Sequence, residues 1–296
     1  MSRKPTAEII SVGNELLIGH TLDTNSHWIA KHLTRLGWTL ERVTQLRDSL
    51  DSIKSGVRRS LKRNPSVLIT IGGLGPTHDD MTLAGISRAI DRPMRLNKEA
   101  MELVRDHYRR LESKPKLTKY RTKMATLPQG SIPLPNPVGT APGVKMQQSN
   151  TTLFSLPGVP SEMKAIFRAS MIPYLESFHT TRPKEVEIKI TGIIESALAP
   201  VLDQARKIYP KLYFKSHPRG RETGIRPLIL LHIYNTEIGA EEEISQAVAY
   251  VMRRLARNGT DRSWPRKRDV NVDKLGSEIL PIRGRLSNSL VGCPTE

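Results

Sequence analysis

VLITIGGLGPTHDDMT, residues Val67 to Thr82, decides the reading of this chain. Val67, Leu68, Ile69, Thr70 and Ile71 are β-branched or aliphatic without alternation, the pattern of a strand buried on both faces. The run stops at Gly72, Gly73, Leu74, Gly75 and Pro76. Glycines let a backbone turn sharply and bring its N–H groups up to a phosphate, and Met81, Leu83, Ile86 and Ile90 then carry helical spacing. Strand, glycine turn and helix start meet at one point, where Asp79 and Asp80 stand beside Thr77, His78 and Thr82. Adjacent carboxylates repel a phosphate unless a divalent cation or a Lys or Arg lies between them, so the pairing suggests a metal-assisted phosphate site. The competing reading is structural: an aspartate capping the helix after an ordinary tight turn.

Upstream, Ala7 to Val12 reads as a strand, and the loop Gly13, Asn14, Glu15, Leu16, Leu17, Ile18, Gly19 puts an amide and a carboxylate at its exit. Asp23, Thr24 and Asn25 start a helix with apolar Ile29, Leu33 and Leu36, ended by Gly37; for Asp23 and Asn25, capping and ligand contact both stand. Trp38 to Thr44 is a second strand, with Asp48 just beyond it and a helix marked by Leu50, Ile53, Val57 and Leu61. Three strands alternating with helices describe right-handed βαβ units and a mainly parallel sheet. Glu15, Asp48, Asp79 and Asp80 then lie along the carboxyl edge, where open α/β sheets bind ligands.

Downstream, Lys98 to Glu112 is a helix, and Lys114, Lys116, Lys119, Arg121 and Lys123 form a basic run whose default explanation is a solvated face. Leu127 to Gly143 is too rich in Pro and Gly for a helix; its core, Asn136 to Gly143, is either a cradle of exposed amides or plain connection. Thr151 to Leu156 is another strand, followed by Pro157, Gly158, Val159, Pro160 and a helix opened by Ser161 and Glu162, again suited to an anion. Pro173 to Pro183 looks like a boundary. Beyond it, strands Glu185 to Thr191, Tyr213 to His217 and Leu228 to Tyr234 with helices Ser196 to Ile208 and Ala240 to Ala256 make a small α+β module. Its loop Ser216 to Arg226 is basic and open to substrate, nucleic acid or water. Asn258 to Glu296 reads as a mobile tail or a docked extension, so the expected domains are 1–178, 179–258 and a basic tail, 259–296.

A chain of 296 residues with 38% apolar composition supports about two domains with real cores. The formal charge of +17 points to a polyanion in its surroundings, but the chain carries no helix-turn-helix, zinc-finger or RNP motif, so nucleic acid is possible and not favoured. The one cysteine, Cys293, excludes an internal disulfide and a thiolate cluster. No run reaches about 18 apolar residues, so no membrane span is expected and the protein is read as soluble and cytoplasmic. GxxxxGK[ST], GxGxxG, HExxH and GxSxG are all missing, which argues against P-loop, dinucleotide-binding, zincin and α/β-hydrolase chemistry.

GNELLIGHTLDTN, TIGGLGPTHDDMT, NPVGTAPG and LPGVPSEM stand in that order, and together they resemble the molybdopterin-binding domain of the CinA family, related to MogA and MoaB. The resemblance covers about Ala7 to Leu175; the second module is similar to the KH-like domain of CinA proteins, and no room is left for their nicotinamide-mononucleotide deamidase domain. It implies a three-layer α/β fold, a nucleotide or pterin ligand, and a dimer or trimer. It also implies attack at phosphorus: metal-dependent hydrolysis of the pyrophosphate of ADP-ribose or FAD, or adenylyl transfer in molybdenum-cofactor metabolism; the rival reading is a fold that holds the ligand without turnover. Asp48 and Asp80 match two aspartates of the MogA branch and become the catalytic pair, with Asp79 and Asp80 holding Mg²⁺, Mn²⁺ or Co²⁺. Gly72, Gly73, Gly75, Thr77, Asn136, Gly139, Thr140, Gly143 and Gly158 are then expected around the phosphates, and Glu15 and Asn25 around the remainder of the ligand.

Overall fold

Strands that are apolar on both faces require a layer on each side, and the computed structural model supplies both. The structure describes residues 4–110, 118–178, 180, 184–219, 227–235, 241–257 and 271–274. It divides into two compact units, Met1–Arg182 and Pro183–Glu296.

The first unit runs β1 (Thr6–Val12), α1 (Asn14–Leu17), α2 (Thr24–Arg35), β2 (Thr39–Leu46), α3 (Leu50–Arg63), β3 (Val67–Ile71), α4 (Thr82–Ala89), β4 (Met94–Leu96), α5 (Lys98–Arg110), α6 (Lys119–Lys123), β5 (Thr126–Pro128), β6 (Ile132–Leu134), β7 (Gly143–Gln148), β8 (Thr151–Leu156), α7 (Pro160–Ile166), a π-helical turn (Phe167–Met171) and α8 (Ile172–Glu176). Its main sheet has the order β2-β1-β3-β8-β7-β6. The first four of these strands are parallel, and β7 and β6 pair antiparallel. Side chains of β1 and β3 alternate between two cores. Ile10, Val12 and Leu68 pack with Ile53, Val57, Ile86 and Val104 on one side, while Ile9, Ile69 and Ile71 pack with Ile29, Leu33, Phe154, Ile166 and Phe167 on the other. This is the expected three-layer α/β fold.

The register places the site. Ser11 pairs with Ile71 and Ile71 with Leu156, so β1, β3 and β8 end level. The chain reverses direction across the sheet after β2, which opens a crevice beside the ends of β1 and β3.

The second unit comprises β9 (Lys184–Thr191), α9 (Glu195–Ile208), β10 (Tyr213–Arg219), β11 (Leu228–Asn235), α10 (Glu241–Arg257) and β12 (Asn271–Lys274). An antiparallel sheet in the order β10-β11-β9-β12 packs Ile188, Ile190, Leu231 and Ile233 against Leu198, Val201, Ile244 and Val251 of the two helices. The structure bears on three expectations here. Leu127 to Gly143 is not loop throughout, because β5 pairs with β4 and β6 with β7. Within the expected tail, Asn271–Lys274 is docked as an edge strand on β9, where unpaired backbone groups of that strand take it up. Gly220 to Arg226 of the basic loop, and the rest of the tail, lie outside the described residues.

Glu8, 1% exposed on β1, meets α3 in a fully bonded pair: Arg63 Nε and Nη2 donate to its two oxygens at 2.6 Å each, and the Ser60 hydroxyl donates at 2.7 Å. Burial alone raises the Glu8 pKa, but the hydrogen bonds from Arg63 and Ser60 bring it net below the usual 4.5. A lowered carboxylate contributes stability at neutral pH that is lost as pH falls through its folded-state value. The melting temperature of the protein should therefore drop as pH is taken below about 4.5. Glu8→Gln should cost about 2 kcal/mol at pH 7 and flatten that acid slope, as thermal unfolding followed by circular dichroism would show.

Candidate functional site

Three level strand ends deliver three loops to one cleft of about 580 Å³. Its walls include Glu15, Asp23, Asn25, Asp48, Gly72, Gly73, Gly75, Asp79, Asp80, Thr140 and Gly158. The loop after β3 is the sharpest. Gly72 has φ +95° and Gly73 φ +67°, in the left-handed region that suits glycine. A Cβ at Gly72 would stand 2.3 Å from the Val12 carbonyl oxygen, and one at Gly73 2.3 Å from Thr82 Oγ1. The Gly72 N–H donates to Leu156 O at 3.0 Å and so closes the sheet. The next three amides, of Gly73, Leu74 and Gly75, have no hydrogen-bond partner among the described residues, and all three residues line the cleft.

Thr77, Asp79 and Asp80 form a knot beneath these amides. Asp80 Oδ2 accepts from the Thr77 N–H at 2.8 Å and from the Thr77 hydroxyl at 2.6 Å, and the same hydroxyl is within bonding reach of Asp79 Oδ1. A hydroxyl carries one proton, so the two carboxylates share a single donor there. The bond from Thr77, with His78 and Lys123 nearby, holds the Asp79 carboxyl below its usual range, so Asp79 carries its negative charge at neutral pH. Lys123 Nζ, from α6, donates to the Thr77 carbonyl. Lys123 departs from the solvated face expected of the basic run.

On the β1 side, Asp48 Oδ2 accepts from the Asn14 N–H at 2.7 Å and ties the exit of β2 to α1. The Glu15 carboxylate lies over Gly13, where a Cβ would come within 2.4 Å of it. Asp23 caps α2 through the Ser26 N–H at 2.9 Å and accepts from the Ser11 hydroxyl at 2.7 Å. Burial raises its pKa, but these bonds outweigh that and lower it, so it stays ionised. Asn25 Nδ2 donates to Gly158 O at 2.7 Å, joining α2 to the loop after β8, while its Oδ1 is buried without a partner among the described residues.

Not every expected residue faces the cleft. Asn136 is the internal brace of its own loop: Oδ1 accepts from Gly139 N at 2.9 Å and Val138 N at 3.2 Å, and Nδ2 donates to Ala141 O at 2.9 Å and Glu162 Oε2 at 2.6 Å. The Gly139 amide is thus engaged already, and Gly139 lies where a Cβ would meet the Glu162 carboxylate at 2.2 Å. Gly143 opens β7, where a Cβ would press on Ile166 at 2.9 Å, a packing role. Asn136, Gly139, Gly143 and Thr77 are not among the cleft-lining residues. Glu162, Tyr108 and Met124 do line it. Glu162 was visible as a helix opener; for Tyr108 and Met124 the sequence gives no sign, since a helix and a loop bring them there from a distance. Among the described residues no group of three or more His, Cys, Asp or Glu side chains is gathered as for a metal ion. None of their helices is long and apolar enough to cross a membrane.

Residues 8–177 match the family model described as the probable molybdopterin binding domain. A protein of Aeropyrum pernix is 43% identical over 249 residues, 84% of this chain and 91% of its own length. One from Pyrococcus furiosus is 42% identical over 219 residues, 72% of this chain and 85% of its own. Among solved structures, that titled as the protein CinA with unknown function from Thermoplasma acidophilum is 37% identical, with a TM-score of 0.53, and covers 57% of this chain and 98% of that one.

The bracing of the Asn136 loop has a direct test. Asn136→Ala removes two donors' acceptor and two acceptors' donor at once, so the amides of Val138 and Gly139 should exchange with deuterium at least about tenfold faster while those of β8 are unchanged. Equal exchange in the variant would mean that the loop holds its shape without the brace.

Proposed function

The chain belongs to the probable molybdopterin-binding domain family and is CinA-like, and from that premise we propose that its strand-exit cleft binds a phosphorylated pterin or nucleotide. One observation carries the reading: Gly73, Leu74 and Gly75, three consecutive residues whose amides have no partner among the described residues, line a cleft large enough for such a ligand. A phosphate is the group that takes several adjacent N–H donors at once. Glu15 and Asn25, on the far wall, suit the polar atoms of the rest of the ligand, and the self-association suggested by the resemblance to MogA and MoaB belongs to the same proposal.

A second reading is favoured by the acids. Asp48, Asp79 and Asp80 all line the cleft, and each keeps one carboxylate oxygen outside the bonds described above. Mg²⁺, Mn²⁺ or Co²⁺ needs only one or two carboxylates when phosphate oxygens complete its shell, so the donor set fits such an ion without a third protein ligand. The ion would supply charge to offset the negative charge growing on phosphorus. Under this reading the protein cleaves a pyrophosphate such as that of ADP-ribose or FAD: the amides fix the phosphate, and Thr77 holds Asp80 in place.

Equilibrium dialysis with pyrophosphate, ADP-ribose and a pterin phosphate should give binding that Gly75→Val weakens about tenfold or more, because its side chain displaces Asp80 and covers the amides. Binding unchanged in Gly75→Val would remove the phosphate from this loop. With Mg²⁺, Mn²⁺ or Co²⁺ added, AMP released from ADP-ribose or FAD and lost in Asp80→Asn would establish the pyrophosphatase. No AMP with any of these metals would leave binding or adenylyl transfer as the function.

A further inference from the structure

Two carboxylates next to a phosphate seat pose an electrostatic problem that the loop itself does not solve. Asp79 and Asp80 share the one Thr77 hydroxyl proton, and both line the cleft together with Gly73, Leu74 and Gly75. A phosphate bound there without a counter-charge would stand against two negative groups in a partly enclosed site.

Lys123 is a counter-charge within reach of this loop. It lies on α6, a short helix started by Thr118, whose hydroxyl accepts from the Arg121 N–H, and it reaches back 46 residues along the chain to the Thr77 carbonyl. Its neighbour Met124 lines the cleft, as does Tyr108, over whose ring the Arg121 guanidinium lies at 4.4 Å from the centroid. An ammonium group has three N–H donors. One goes to the Thr77 carbonyl, and the other two have no partner among the described residues.

We propose that Lys123 is the fixed cation of the site, a positioning residue that through Thr77 balances the charge of Asp79 and Asp80, so that phosphate binds at the Gly73–Gly75 turn without a metal. This inference rests on the phosphate reading of the cleft and goes past it by naming the group that makes the acids compatible with that ligand. The flexible lysine stem lets the ammonium stay on Thr77 while sharing its charge with a phosphate, which makes the cation part of the loop and not of the solvent.

The test is isothermal titration of the full chain with inorganic pyrophosphate in EDTA, using the unaltered protein, Lys123→Met, Lys123→Arg and the double variant Lys123→Met with Asp79→Asn. The unaltered chain should bind; Lys123→Met should bind about tenfold or more weakly, and Lys123→Arg within about threefold of the unaltered chain. Removing the opposing charge should restore much of the affinity in the double variant, a rescue that a merely structural lysine would not give. Equal binding by Lys123→Met, or loss in Lys123→Met without rescue by either Arg or Asp79→Asn, overturns the proposal and leaves the phosphate reading standing. No binding by the unaltered chain in EDTA overturns this inference, and if pyrophosphate also fails to bind with Mg²⁺ added the phosphate reading falls with it.

Discussion

The turn at the end of β3 is the constraint from which the rest of the site follows. Gly72 must take a left-handed conformation with its Cα pressed against the Val12 carbonyl, and its amide is spent on Leu156 of the next strand. That single residue locks β1, β3 and β8 into a level edge. It then turns the chain so abruptly that the following three amides leave the sheet without a partner among the described residues. A sheet that ends this way has a polar, donor-rich opening at its switch point before any ligand is considered.

Around that opening the polar side chains work mainly on one another. Asp48 anchors α1, Asp23 caps α2, Asn25 ties α2 to the loop after β8, Asn136 and Glu162 brace the proline-rich loop, and Thr77 binds both aspartates of the β3 loop. The two alternatives open in the sequence for Asp23, Asn25 and the Asp79–Asp80 pair, capping and ligand contact, are therefore not exclusive. One carboxylate oxygen can serve the backbone while the other faces the cleft, which is how a set of loops is held rigid enough to preorganise a site.

Much of the fold was legible because it rests on short-range signals. Apolar runs without alternation, glycine exits and helical spacing place β1, β3, β8 and their helices close to where they stand, and the loop motifs that follow β1, β3 and β8 share one edge because parallel strands of one sheet end on the same side. What was illegible depends on distance in space. β5 and β6 are three residues each and exist only by pairing with β4 and β7; β12 exists only because β9 offers an edge. The same holds at the site: Gly139 looks like a phosphate-binding glycine, yet its amide belongs to Asn136 and its missing Cβ makes room for Glu162. Lys123 looked like one member of a solvated run, and only the fold brings it to Thr77.

The central claim is that three particular backbone amides form the phosphate seat, and an amide-resolved titration reads it most directly. In a ¹⁵N–¹H correlation spectrum of the whole chain, pyrophosphate should shift the Gly73, Leu74 and Gly75 resonances downfield in a saturable way, while Gly72 and Gly139, whose protons are already bonded, stay nearly fixed. Saturable shifts centred on Gly139 or on the second unit, with the three β3-loop amides unmoved, would contradict the account.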